Sequence, residues 1–105
     1  MRLRSTSVKW DVTLSPDAVR QYRRLRAAGR ATLKKAMKDQ LREDDATVET
    51  KNRFRLRRPS PHADYELRVG ALRAFYRVEG NAVRVVLIGK KRGEALLVEG
   101  KRFTL

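Results

Sequence analysis

The hydrophobic positions of this chain change period twice. From Trp10 to Leu14 apolar and polar residues alternate, as they do along a half-buried strand. From Ala18 the spacing becomes helical. Ala18, Tyr22 and Leu25 recur with Val19 beside them, and Leu33, Ala36, Met37 and Leu41 form a second stripe. Ser15-Pro16-Asp17 is a helix start: serine caps free N–H groups, proline suits the first turn, and aspartate complements the positive end of the dipole. Gly29 is expected to separate two helices, the second running from about Arg30 to Arg42. Asp44-Asp45 closes this helical hairpin.

Period two returns in the last third. Residues 65–69, 72–79 and 82–89 are expected strands, joined by two-residue turns at Gly70-Ala71 and Gly80-Asn81. Pairing outward from the turns sets Val69 opposite Leu72, Arg68 opposite Arg73 and Tyr65 opposite Tyr76. It also sets Val78 opposite Val83, Arg77 opposite Arg84 and Phe75 opposite Val86. One face then carries Tyr65, Leu67, Val69, Leu72, Ala74, Tyr76, Val78, Val83, Val85 and Leu87, and should pack on the helices. The other carries Glu66, Arg68, Arg73, Phe75, Arg77, Arg84, Val86 and Ile88. A slip by one residue would bury the arginines, so the register is strongly specified. A last strand, residues 95–98, is expected in the sheet or at its edge. The pattern describes a single α+β domain over residues 1–105, a helical hairpin packed on a small antiparallel sheet.

Charge sharpens this picture. The 105 residues include 26 Lys and Arg against 12 Asp and Glu, a net charge of +14. Such an excess repels itself unless a polyanion or an acidic protein offsets it. The densest cluster is Lys51, Arg53, Arg55, Arg57 and Arg58, interleaved with Phe54 and Leu56 and ended by Pro59-Ser60-Pro61. If that stretch is extended, Lys51, Arg53, Arg55 and Arg57 share one face. Arg68–Arg73 and Arg77–Arg84 are like-charge cross-strand pairs, unfavourable for the sheet itself. An anion lying on that face would rationalise them; arginines splayed into water beside Glu66 are the plainer alternative.

Other chemistries are excluded. The chain has no cysteine and one histidine, His62, so disulfides, thiolate catalysis, zinc–thiolate and multi-histidine sites drop out. No metal or cofactor is expected. Residues 1–7 lack the apolar core of a signal peptide, and no apolar run approaches a membrane span. A cytoplasmic protein with no membrane partner is expected.

A strand, a Ser-Pro-initiated helical hairpin, a basic segment and then Glu66-Leu67-Arg68-Val69-Gly70, Arg73-Ala74-Phe75-Tyr76-Arg77-Val78 and Ile88-Gly89-Lys90-Lys91 follow in order. This order, from about Trp10 to Val98, resembles the RelE/ParE superfamily of bacterial type II toxin–antitoxin toxins. Glu49-Thr50-Lys51-Asn52-Arg53 and Glu99-Gly100-Lys101-Arg102-Phe103 are similar to its RelE-like branch. The resemblance implies a β-α-α-β-β-β fold and an mRNA interferase, an endoribonuclease that inhibits translation, commonly on the ribosome. The alternatives are a ParE-type DNA gyrase inhibitor and a non-catalytic basic RNA-binding relative. It also implies an acidic antitoxin bound in a hetero-oligomer, covering the apolar positions Phe75, Val86 and Ile88.

RelE-type cleavage is metal-independent attack of a ribose 2′-hydroxyl on the adjacent phosphate. It needs a proton acceptor, charge stabilisation and a proton donor. The resemblance implies Lys51 and Arg53 as the basic pair, with Lys51 the candidate base, and Arg68 with Lys91 or Arg92 clamping the phosphate. Arg55, Arg57, Arg58, Arg73, Arg77, Arg84 and Lys90 are expected RNA contacts, and His62 is a candidate acid. The family's tyrosine near the chain end falls at about Leu97, which can neither donate a proton nor stack as a phenol does.

Overall fold

The computed structural model describes residues 10–105; the N-terminal stretch read above for a signal peptide lies outside them. Strand β1 (Asp11–Leu14) leads into helix α1 (Pro16–Arg23), then helix α2 (Ala27–Met37), which widens into one π-helical segment (Lys38–Arg42). Six strands follow: β2 (Arg53–Arg55), β3 (Tyr65–Val69), β4 (Leu72–Glu79), β5 (Ala82–Arg92), β6 (Ala95–Val98) and β7 (Lys101–Arg102). The fold is α+β, as expected. No helix among the described residues is long and apolar enough to cross a membrane.

Helix α1 begins as its sequence requires. Ser15 is extended, and its Oγ accepts a hydrogen bond from the Ala18 N–H at 3.1 Å. The break between the helices comes earlier than Gly29, at Arg24–Arg26. A side chain sets it there. Arg30 reaches back from α2, and its guanidinium donates to the carbonyls of Leu25 and Arg23, placing a cation at the negative end of α1. The Tyr22 hydroxyl donates to the Arg30 carbonyl at 3.1 Å and closes the corner. Gly29 sits in the first turn of α2, where an added Cβ would find only ordinary contact, 3.6 Å from Leu72.

The sheet runs β2-β3-β4-β5-β6-β7, antiparallel throughout, with β1 added parallel to β5. Strand β5 is long enough to hold two neighbours on one edge: β1 along Ala82–Val85 and β6 along Lys90–Arg92. The gap between them would leave backbone groups orphaned. Ser15 fills part of it, donating from its N–H to the Val85 carbonyl at 2.8 Å and from its hydroxyl to the Val86 carbonyl. Gln21 fills the rest, its side-chain oxygen accepting from the Ile88 N–H at 2.7 Å. This is why a glutamine is buried on the inner side of α1.

The β3–β4 register and the first part of β4–β5 match the expectation, including Arg68–Arg73, Tyr65–Tyr76 and Arg77–Arg84. The expected Phe75–Val86 pair does not form. Tyr76 pairs with Val85 and Phe75 with Leu87, so Val86 is the extra residue of a β-bulge. Beyond it the faces of β5 exchange. Ile88 joins the helix-side core with Val12, Leu33, Met37, Leu67 and Tyr76. Leu87 turns to the other face, where it packs with Phe75, Ala63, Leu96 and Val98. The sheet therefore has a core on both sides. Phe75 and Ile88 are each 2% exposed and Val86 is half-buried, so the chain itself covers the positions expected to await an antitoxin.

Tyr76 is the largest fully buried uncharged side chain of the helix-side core. Its hydroxyl donates to the Ala46 carbonyl at 2.7 Å, and burial pushes its phenol well above the ordinary range. Gly89 marks the tightest approach in the sheet: a Cβ there would lie 2.8 Å from the Leu97 carbonyl oxygen and 2.9 Å from the Leu96 side chain. Backbone cannot yield cheaply, so Gly89→Ala should cost about 1–3 kcal/mol. Urea unfolding measures this, with weakened amide protection expected along β6; unchanged stability would show that β6 is not held at Gly89.

Candidate nucleic-acid interface

The basic segment does not lie flat as one cationic strand. Only Arg53–Arg55 is extended, paired with β3 through Arg53–Leu67, Phe54–Glu66 and Arg55–Tyr65. Cross-strand partners share a face, so Arg53 and Arg55 point to the helix side with Leu67 and Tyr65. Phe54 points the other way. Arg53 is 1% exposed, and its guanidinium donates to the carbonyls of Val48 and Gln40 at 2.8 and 2.7 Å and pairs with Asp44 at 3.1 Å. It ties the π-helical segment and the following loop to the sheet. A side chain so placed cannot reach a surface ligand, which corrects its expected place in the catalytic pair. Arg55 lies over the Tyr65 ring and donates to its hydroxyl.

Lys51 and Arg57 flank this short strand and come round to the opposite face. There Glu49, Thr50, Lys51, Phe54, Arg57 and Arg68 line an open depression of about 460 Å³. The Arg68 guanidinium stands 4.8 Å above the centre of the Phe54 ring, a cation–π contact that holds a half-exposed charge over an aromatic platform. Arg57 also borders an adjoining hollow lined by Arg55 and Arg58, which extends the cationic rim.

Glu49 is the residue that the sequence reading missed. Its Oε1 accepts from the Arg55 N–H at 3.0 Å and so caps the outer edge of β2. It also brings a carboxylate in among three cations. The only signal in the sequence was its position just before Lys51, which a coil assignment leaves without direction.

The like-charge pair Arg68–Arg73 has an internal answer. Glu66 Oε2 lies 3.2 Å from both Nε atoms. Arg73 is 9% exposed, and its Nη1 donates to the carbonyls of Gly70 and Leu72. Burial lowers its pKa, with the Glu66 charge opposing that shift and Arg68 adding to it. Arg73 is therefore a structural ion and not the expected RNA contact. Arg77 is also engaged, donating to the carbonyls of His62 and Pro61 and so fastening the loop before β3. Arg84, paired with Arg77 across the strands, is exposed.

Lys91 and Arg92 are not among the residues lining the depression. They end β5, two strands from β3, about 10 Å away by strand spacing alone. Lys91 donates to the Glu94 carbonyl at 3.1 Å. Lys90 faces the helix side, in a notch with Arg24, Leu25 and Leu97. Leu97 thus points away from the depression, and a tyrosine at that position would not reach it. His62 is exposed, with its ring edge-on to Phe103 at 5.0 Å, and it does not line the depression either. Among the described residues no group of three or more His, Asp or Glu could hold a metal ion.

The depression therefore gathers Lys51, Arg57 and Arg68, an aromatic floor and one carboxylate. That combination can hold a phosphate, stack a base and accept a proton. Removing Arg53 should act on folding instead. Arg53→Ala removes a buried guanidinium with its two carbonyl bonds and its Asp44 pair and should cost about 3 kcal/mol, whereas Arg68→Ala should fall within about 0.5 kcal/mol of the parent. Chemical unfolding of both variants checks this; an Arg53→Ala protein of parental stability would return Arg53 to the list of surface groups. No family model, no curated protein and no solved structure matches the chain.

Proposed function

We propose that this chain is a toxin of the RelE-like kind, an endoribonuclease that cuts mRNA, with the ribosome as its expected setting. The observation that carries the reading is the convergence of Lys51, Arg57 and Arg68 over Phe54 beside Glu49. The order of a strand, a helical hairpin and an antiparallel run of strands is compatible with that superfamily. The net charge of +14 suits a polyanionic substrate and, when the toxin is silent, an acidic antitoxin.

The geometry also redistributes the roles. A lysine must first lose its proton to act as a base, whereas a carboxylate is already an acceptor at neutral pH. Glu49 takes the proton from the 2′-hydroxyl as the O2′–phosphorus bond forms. Arg57 and Arg68 neutralise the charge growing on the phosphate oxygens. Lys51 returns a proton to the departing 5′-oxygen as its bond to phosphorus breaks. Phe54 gives an adjacent base or sugar an apolar surface under the Arg68 guanidinium.

Purified protein, ribosomes and mRNA test this directly. Arg68→Ala should slow cutting about 100-fold or more, the usual loss for one transition-state charge contact. Glu49→Gln keeps the hydrogen bond to Arg55 yet removes the base, and should cost about 100-fold or more as well. Undiminished cutting by Arg68→Ala would sink the site. Intact RNA with inhibited gyrase supercoiling would assign the ParE-type activity, and unimpaired growth on overexpression would leave a non-catalytic binding module.

A further inference from the structure

A second hollow lies at the edge of the sheet, between α1 and the β6–β7 end of the chain. The bulge supplies its floor through Val86 and Leu87, together with Val98 from β6. Phe103 and His62 form an aromatic wall, their rings edge-to-face at 5.0 Å. Lys101 and Arg102, both exposed and with no described hydrogen bond or ion pair, stand at the rim. The half-open hollow has a volume of about 450 Å³, within the range of small-ligand sites.

This corner is built, not incidental. The turn between β6 and β7 puts Glu99 at φ 53°, a left-handed conformation that a non-glycine residue adopts only at a cost. Arg20 of α1 holds it there, bonded to Glu99 at 2.6 Å and to Asp17 at 2.8 Å. The Arg20 guanidinium bridges the hollow's two carboxylates and offsets one of their charges, and Lys101 with Arg102 then makes the corner net cationic. The Phe103 N–H donates to the Leu96 carbonyl at 2.9 Å and sets the ring over the floor. His62 is set from the other side, its carbonyl and that of Pro61 accepting from Arg77.

An apolar floor, an aromatic wall and an unpaired cationic rim are the parts of a nucleobase site: the rings stack, and the cations take the flanking phosphate. We propose that this hollow binds one base of a single-stranded RNA, Phe103 and His62 stacking it and Lys101 and Arg102 holding its phosphate. The inference rests on the RNA reading above and extends it. The rim on β7 lies four strands from β3, about 19 Å by strand spacing, so an RNA strand entering the Lys51–Arg68 depression places here a base several nucleotides from the cut. The hollow would set sequence preference, because it grips a base at a distance from the cut.

His62 is the chain's only histidine, so its ring resonances report on this corner alone. The full chain is titrated with a single-stranded RNA hexamer made uncleavable by 2′-O-methylation. His62 ring signals should move saturably. Lys101→Gln with Arg102→Gln, both on the surface, should weaken binding about tenfold and lower the slope of log K against log salt by about 0.7, one single-strand phosphate contact. Phe103→Leu keeps the apolar floor covered and should weaken binding while leaving the salt slope unchanged. If the hexamer binds, with affinity falling in Arg68→Ala, while His62 stays unmoved or the rim variant binds like the parent, the base pocket is wrong and the RNA reading stands. If the hexamer does not bind at all, both fall together.

Discussion

The extra residue at Val86 decides what the sheet can do. A regular β4–β5 ladder would send Leu87 to the helices and Ile88 to solvent, leaving the far face as arginines around an exposed Phe75. With the bulge, Ile88 enters the helix-side core and Leu87 crosses to Phe75, Leu96 and Val98. Burial of each such side chain is worth about 1.5–3 kcal/mol, enough to fold the segment before β3 and the chain end onto the sheet. Both hollows depend on those two coverings. Beside the bulge, the gap between β1 and β6 on the edge of β5 is filled by Ser15 and Gln21, so α1 is anchored at the same place.

The arginines divide according to what they meet. Arg53, Arg73 and Arg77 are spent on the fold: one joins the π-helical segment to β2, one is sandwiched between Glu66 and the β3–β4 turn, one pins the loop at Pro61 and His62. Each donates to carbonyl oxygens, which for Arg53 and Arg73 replace the water lost on burial. What remains on the surface is sparser than composition implied, but better placed. Lys51, Arg57 and Arg68 converge on Phe54, and Lys101 and Arg102 rim the aromatic corner at Phe103.

Much of this architecture was legible in the residues. Ser15-Pro16-Asp17 starts α1, Gly70-Ala71 and Gly80-Asn81 make the turns they should, and the pairing holds as far as Tyr76. The failures share a cause. Alternation reports which face a residue takes only while the ladder is regular, and a Val-Val-Leu-Ile run gives no hint of where an extra residue sits. Gly29 looked like a helix break because glycine often is one, yet the corner is set by Arg30, whose side chain folds back onto the end of α1, a contact that hydrophobic spacing does not carry. The same limit hid the site: Lys51 and Arg68 were singled out and do share a depression, but Arg53 required knowing which way a three-residue strand faces, and Glu49, quoted in the same segment, was given no role.

The central claim is that the cations around Phe54 act on RNA by driving a 2′-hydroxyl into the neighbouring phosphate. The most direct measurement follows the cut itself: an mRNA carrying a single 2′-deoxy nucleotide immediately 5′ of the mapped cleavage position is compared with its all-ribose parent. The account predicts a 2′,3′-cyclic phosphate end on the parent and no cut at the deoxy position, with cleavage elsewhere unaffected. Cleavage at the deoxy position at the parental rate would contradict it.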